Sequence, residues 1–183
     1  MLIFDKDYYD NSFPNVDHSH YSKRAKWIAD NVDSGRVVIA GAGFGWTIYY
    51  LITLGVDVIG IELNQYAFEQ SKVKGNMSNQ CISLFPFFLT DKVFSWNVLD
   101  CLNENNVEAV CNNLNNAGEQ THVICCDNED SESDNYKSQG FFIKGIDYWL
   151  DLLPDAIIVD YHTGKVFNSA SLKIPLLWNK ISD

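Results

Sequence analysis

The stretch Val37-Val38-Ile39-Ala40-Gly41-Ala42-Gly43-Phe44-Gly45 constrains the fold of this chain more than any other. A short apolar run ending in alternating glycines reads as a buried strand entering a tight turn, and Trp46 to Leu54 reads as the helix that follows. Glycines in such a turn let the backbone come close to a ligand, and the helix N-terminus offers free N–H groups. Asp57-Val58-Ile59-Gly60-Ile61 is a second strand, and it ends on Glu62. A carboxylate at the tip of the second strand, about 20 residues past the first glycine, is placed to take the two hydroxyls of a ribose. Strand, glycine turn, helix, strand and acid together describe a site for a nucleotide-type cofactor.

The dinucleotide fingerprint needs a third glycine at its sixth position, where helix and strand pack closely. Here that position holds Trp46, and the third glycine comes one residue early. The pattern Gly41-Ala42-Gly43-Phe44-Gly45, followed by Leu54-Gly55-Val56-Asp57-Val58-Ile59-Gly60-Ile61-Glu62, resembles the first two motifs of small single-domain, class I (Rossmann-like) S-adenosylmethionine-dependent methyltransferases. The resemblance runs from about Lys23 to Asn168. It implies an α/β, three-layer fold: a mostly parallel sheet of the seven-stranded type with a C-terminal antiparallel hairpin, and the short interval before the fourth strand in this chain reads as a reduced third strand. It also implies S-adenosylmethionine as cofactor and S-adenosylhomocysteine as product. Gly41, Ala42, Gly43, Phe44 and Gly45 would lie against the methionine part, Glu62 would hold the ribose, and Leu63 beside it would join the cofactor-binding residues.

Composition narrows the function classes. A chain of 183 residues is expected to form one domain over residues 1–183. No apolar run reaches the roughly 18 residues of a membrane span, and the first residues lack the regions of a signal peptide. A net charge of −11 argues against a broad phosphate-binding face, so nucleic acid is not the expected partner. Five cysteines without a Cys-x-x-Cys pair read as thiols in a reducing cytoplasm, and the ligand clusters of a zinc site are missing.

Taken in order, residues 1–20 read as an N-terminal flap. His18 and His20 could bind a metal if the segment were a strand with both on one face, and an exposed flap is the better reading. Tyr21, Ala25, Ile28, Ala29 and Val32 follow helical spacing, with Ser22 as a possible N-cap. Arg24 on the polar side of that helix is either a partner for the cofactor carboxylate or a solvated charge. After Glu62, Asn64 caps a helix over about Gln65 to Lys74. In the family a third strand then ends in an acid that touches the adenine; this chain has none there, and Ser83 stands nearest. Phe85, Phe87 and Phe88 either stack on the adenine or fill the core, and core is favoured.

Lys92 to Asn97 reads as the fourth strand, and its end resembles the family's fourth motif, where polar groups line the pocket near the methyl group. Asn97 donates and accepts, so it suits cofactor or substrate. Asp100 is a general base or a helix cap. Val107, Val110, Cys111 and Leu114 form an amphipathic stripe, and His122 to Cys126 reads as the fifth strand. The acidic run Asp127 to Asp134 follows it as a candidate lid. A helix within Ile143 to Leu153 stops at Pro154, then Ala156–Tyr161 and Lys165–Asn168 read as a hairpin, and residues 175–183 as a tail.

A sulfonium already activates its methyl group, so the protein must mainly align a nucleophile and exclude water. Acceptor-side candidates are Tyr8, Tyr9, Asn97, Asp100 and His162, with Tyr8, Asn97 and Asp100 the ones carried forward as catalytic candidates. The Asn/Asp-Pro-Pro-Tyr box of amino-type DNA methyltransferases is absent, which points to a small molecule or a protein side chain as acceptor. The rival readings are a catalytically inactive S-adenosylmethionine-binding or regulatory protein, and a nicotinamide-dependent oxidoreductase, which Trp46 opposes.

Overall fold

The computed structural model describes residues 6–12, 18–123, 137, 142, 144, 146–153, 156–161 and 164–169. Its centre is the strand β1 (Val37–Ala40), all four of whose residues are buried. Side chains alternate across a strand, so Val37 and Ile39 face one layer of helices while Val38 and Ala40 face the other. A strand covered on both faces has no polar side, which is why its sequence is an unbroken apolar run. β1 pairs in parallel with β2 (Val58–Ile61) on one side and with β4 (Lys92–Trp96) on the other. β3 (Met77–Ser78) extends the sheet beyond β2, and β5 (Glu119–Val123) extends it beyond β4, giving five parallel strands in the order β3-β2-β1-β4-β5. Past β5, β7 (Gly164–Ser169) runs antiparallel to it, and β6 (Ala156–Tyr161) runs antiparallel to β7.

One face is covered by α2 (Ser19–Asn31) and α3 (Trp46–Thr53), which bury Ala25, Trp27, Ile28, Ile48 and Leu51 against Val37, Ile39 and Phe94. The other face carries α5 (Glu104–Leu114) and α6 (Ile146–Leu152). The expected stripe Val107, Val110, Cys111 and Leu114 is wholly buried there, with Trp149 packed beside it. Phe85 and Phe87 join this core, whereas Phe88 is exposed under the Arg36 guanidinium, so the phenylalanines belong chiefly to packing.

Several boundaries differ from expectation. Residues 6–12 form a helix, α1 (Lys6–Ser12), and Tyr9 on it is buried, so this part of the N-terminal segment is not an exposed flap. His18 and His20 stand at the start of α2, not on a strand. That helix begins at Ser19, and the hydroxyl of Ser22 donates to the carbonyl of Ser19 instead of capping it. α4 (Gln65–Gln70) is capped by Asn64, whose side chain accepts from the Ala67 N–H, but it ends four residues early. β5 starts at Glu119, upstream of its apolar core. Cys125, Cys126, the acidic run from Asp127, His162 and residues 175–183 lie outside the described residues.

Between the two middle strands a polar chain is buried. Ser95 and His122 are register partners on β4 and β5; Ser95 Oγ is 2.7 Å from His122 Nδ1, and His122 Nε2 is 3.0 Å from Gln120 Oε1. An amide oxygen only accepts, so Nε2 carries the proton and Nδ1 accepts from Ser95. Gln120 in turn donates to the Leu114 carbonyl at 2.9 Å. Burial lowers the His122 pKa from 6.5 to about 4. A depressed folded pKa means that the unfolded chain takes up the proton first as pH falls. This group's stabilisation is therefore complete above pH 6.5 and is lost as pH falls to about 4. We expect wild type to lose on the order of a few kcal/mol more than His122→Gln across that window, read by urea unfolding. Parallel loss in the two proteins would remove His122 from the account.

Candidate functional site

In an open sheet of this kind, ligands bind outside the carboxyl ends of the strands where the strand order reverses. Here the reversal lies between β1 and β4, and the glycine turn leaves β1 at that point. Its first residues are pinned to β2: the N–H groups of Gly41 and Ala42 both donate to the Ile61 carbonyl at 2.9 Å. Gly41, Gly43 and Gly45 all have positive φ, but their surroundings differ. A Cβ on Gly41 would collide with the Val98 side chain, and one on Gly45 would stand 2.7 Å from Val73 and 2.8 Å from the Ser71 hydroxyl. A Cβ on Gly43, at φ +55°, would meet nothing within 4 Å. Packing dictates the outer two glycines, and the middle one opens onto free space.

Glu62 faces that opening from the tip of β2. Its carboxylate accepts the Gly43 N–H through one oxygen and the Asn64 N–H through the other, each at 2.7 Å. Burial raises its pKa, and the N–H groups of Asn64, Gly43 and Leu63 oppose that rise. Beyond these bonds the carboxylate retains acceptor capacity of the kind a hydroxyl donor uses. Beside it, Leu63 is 67% exposed, an apolar side chain at the tip of a strand whose other residues are covered. Asn79 holds this tip in place by donating to the carbonyls of Glu62 at 2.8 Å and Leu63 at 3.2 Å. Sequence reasoning missed Asn79, because a polar residue after a two-residue strand carries no periodic signal.

β3 ends at Ser78, so the residue that follows the third strand is Asn79. Ser83 lies further on, in the turn Ile82–Leu84, with its hydroxyl 3.1 Å from Cys81 Sγ. The closeness that a third glycine would give the helix comes from Gly60 on β2, where a Cβ would collide with Ile48 of α3. Trp46 is thereby free to start α3, with the His18 ring edge-on to it at 4.2 Å.

The turn is covered from the N-terminal side. Tyr9 packs on Phe44 with ring centroids 4.9 Å apart, and Asp10 accepts the Tyr66 hydroxyl of α4 at 2.7 Å, which docks α1 over the glycines. Burial and then the Glu62 carboxylate raise the Tyr9 pKa, so its phenol stays neutral. At the tip of β4, Asn97 adopts φ +52°, a left-handed conformation that asparagine tolerates better than other non-glycine residues. Its carbonyl accepts from Cys101 Sγ at 2.9 Å. Arg24 stacks over Trp96, the guanidinium carbon 4.2 Å from the indole centroid. Tyr8 is half-buried and Asn97 exposed, whereas Asp100 is fully buried in the turn Leu99–Cys101. Among the described residues there is no cluster of three or more metal-ligating side chains and no helix long and apolar enough to cross a membrane.

No family model and no curated protein matches this sequence. Solved structures do match in three dimensions. An S-adenosylmethionine-dependent methyltransferase from Archaeoglobus fulgidus superposes with a TM-score of 0.70 over 90% of this chain and 99% of its own, at 11% identity. Magnesium protoporphyrin IX methyltransferase from Synechocystis PCC 6803, with bound S-adenosylhomocysteine, gives 0.63 over 83% and 82%, at 13% identity. Geranyl diphosphate C-methyltransferase from Streptomyces coelicolor A3(2) gives 0.63 over 81% and 75%, at 11% identity. At such identities the likeness is one of fold, and the fold is that of the class I, Rossmann-like S-adenosylmethionine-dependent methyltransferases.

Proposed function

We propose that the protein is an S-adenosylmethionine-dependent methyltransferase acting on a small molecule or a protein side chain. The observation that carries this reading is the space at Gly43, bordered by a carboxylate whose two oxygens are already oriented by backbone N–H groups. The backbone of Gly41 to Gly45 would bound the methionine part, Glu62 would accept the ribose hydroxyls, and Leu63 would cover one face of the adenine. Asn79, at the end of β3, is the residue proposed for the adenine edge, with Ser83 in the turn further along the chain. Arg24 is the cation proposed for the cofactor carboxylate, from its place over Trp96.

When bound, the cofactor supplies a methyl group activated on a sulfonium. The chain's share of the work is then placement: Tyr9 and Phe44 exclude water above the turn, and Asn97 and Tyr8 orient the acceptor side. Asp100 is the weakest of the catalytic candidates, because a base must reach the proton it takes and this side chain is fully buried. The β6–β7 pair is read as the closing hairpin of a seven-stranded sheet, within a single domain over residues 1–183. The thiols Cys81, Cys101 and Cys111 suit a cytoplasmic location.

Thermal unfolding with S-adenosylhomocysteine and with NAD tests the cofactor. The first should raise the melting temperature and the second should not; the reverse would place the protein with the nicotinamide enzymes. Transfer of labelled methyl groups to candidate acceptors then separates an enzyme from a binding protein.

A further inference from the structure

The acceptor side of the site is built largely from aromatic rings on α1, the glycine turn, α2 and β4. Tyr8 and Tyr9 on α1 stand edge to face with centroids 5.4 Å apart, and Tyr9 continues onto Phe44 of the glycine turn. The Tyr21 ring centroid on α2 lies 5.7 Å from the Arg24 guanidinium carbon, which in turn lies over the Trp96 ring at the tip of β4, 4.2 Å from its centroid. The tip of β4 adjoins the glycine turn, because Val98, which follows Asn97, lies against Gly41. Cys101 Sγ donates to the Asn97 carbonyl at 2.9 Å, and Glu62 accepts from Gly43 of the same turn at 2.7 Å. These residues therefore converge on one region, with the ribose acid on one flank and Asn97 and Cys101 on the other.

The chemistry of this wall is uniform. Burial raises the Tyr8 and Tyr21 phenols and the Cys101 thiol above their ordinary values, so all three are neutral hydrogen-bond donors at physiological pH. Flat rings with hydroxyl edges, backed by a stacked guanidinium, favour a ligand that is itself flat and π-rich. Ring pairs prefer edge-to-face or offset contact, and such contacts add to what burial alone provides. Aliphatic ligands of the same size gain the burial and forgo that addition.

We propose that the methyl acceptor is a planar aromatic small molecule, bound against Tyr8, Tyr21 and the Arg24–Trp96 stack, with Asn97 at its reacting edge. This rests on the methyltransferase reading, and the experiment is arranged so that the two can fail separately. Calorimetry first titrates the protein with S-adenosylhomocysteine; absence of binding at that stage sinks the methyltransferase reading and this proposal with it. The loaded protein is then titrated with naphthol and decahydronaphthol, and with catechol and cyclohexanediol. The aromatic member of at least one pair should bind on the order of tenfold more tightly, since several ring contacts contribute a few-fold each.

Tyr8→Leu and Tyr21→Leu keep apolar bulk and remove the ring. Each should reduce that preference several-fold while leaving S-adenosylhomocysteine affinity and the melting temperature near wild type. Equal affinities within both pairs would overturn the proposal, as would failure of all four probes to bind the loaded protein. A preference that survives in the Tyr8→Leu, Tyr21→Leu double variant would also overturn it, because the aromatic contact would then lie elsewhere.

Discussion

Replacing Gly43 by valine should abolish cofactor binding while the fold survives. Two effects act at once, and they are separable. The first is conformational: Gly43 sits at φ +55°, a region that costs an L-residue roughly 1–2 kcal/mol and a β-branched one more. The second is spatial. A Cβ there meets no protein atom within 4 Å, so the side chain would project into the space assigned to the methionine part. Gly55, at the end of α3, provides the control, because it has φ +77° and equally open surroundings but lies away from the site. Gly43→Val and Gly55→Val should lose similar amounts of stability in urea. Only Gly43→Val should lose S-adenosylhomocysteine affinity, by on the order of 100-fold or more by calorimetry, the scale of a blocked contact surface rather than one lost hydrogen bond. Normal affinity in Gly43→Val would show that the opening is not the cofactor site.

The contrast among the three glycines was not legible in the sequence, although the motif itself was. β1 and its turn announce themselves because a strand buried on both faces must be apolar throughout, and because alternating glycines suit few other purposes. Nothing in Gly41-Ala42-Gly43-Phe44-Gly45 says that Val98 closes one glycine while another stays open, since Val98 is distant in the chain. α1 was hidden for a related reason. Tyr9 is buried by Phe44, and the helix is held by the Asp10–Tyr66 bond, so its order depends on partners far along the sequence. β3 is too short to show alternation. β5 began earlier than its apolar residues suggest, because Glu119 and Gln120 find partners across the sheet and helix in Lys92 and Leu114. Glu62, by contrast, is singled out by its spacing from the glycines, and the structure shows the Gly43 and Asn64 N–H groups that orient its carboxylate.

Those two bonds sharpen what removing Glu62 should do. If the carboxylate takes both ribose hydroxyls, Glu62→Ala should cost about 1.5–3 kcal/mol of binding, the range for hydrogen bonds to a charged group. The 2′-deoxy cofactor should then lose much less additional affinity in the variant than in wild type, because its missing hydroxyl has no partner left to lose. A second readout comes from acidity. Burial holds the Glu62 carboxyl above its ordinary 4.5, so protonation should begin to weaken binding at a higher pH than for an exposed glutamate. That acid limb should be absent in Glu62→Gln, which stays neutral throughout and binds weakly at every pH. The alanine variant should also lose stability without ligand, since the Gly43 and Asn64 N–H groups lose a buried acceptor. Affinity must therefore be measured below the variant's unfolding temperature. Equal losses on removing the 2′-hydroxyl in variant and wild type would mean that Glu62 braces the glycine turn and that another group reads the ribose.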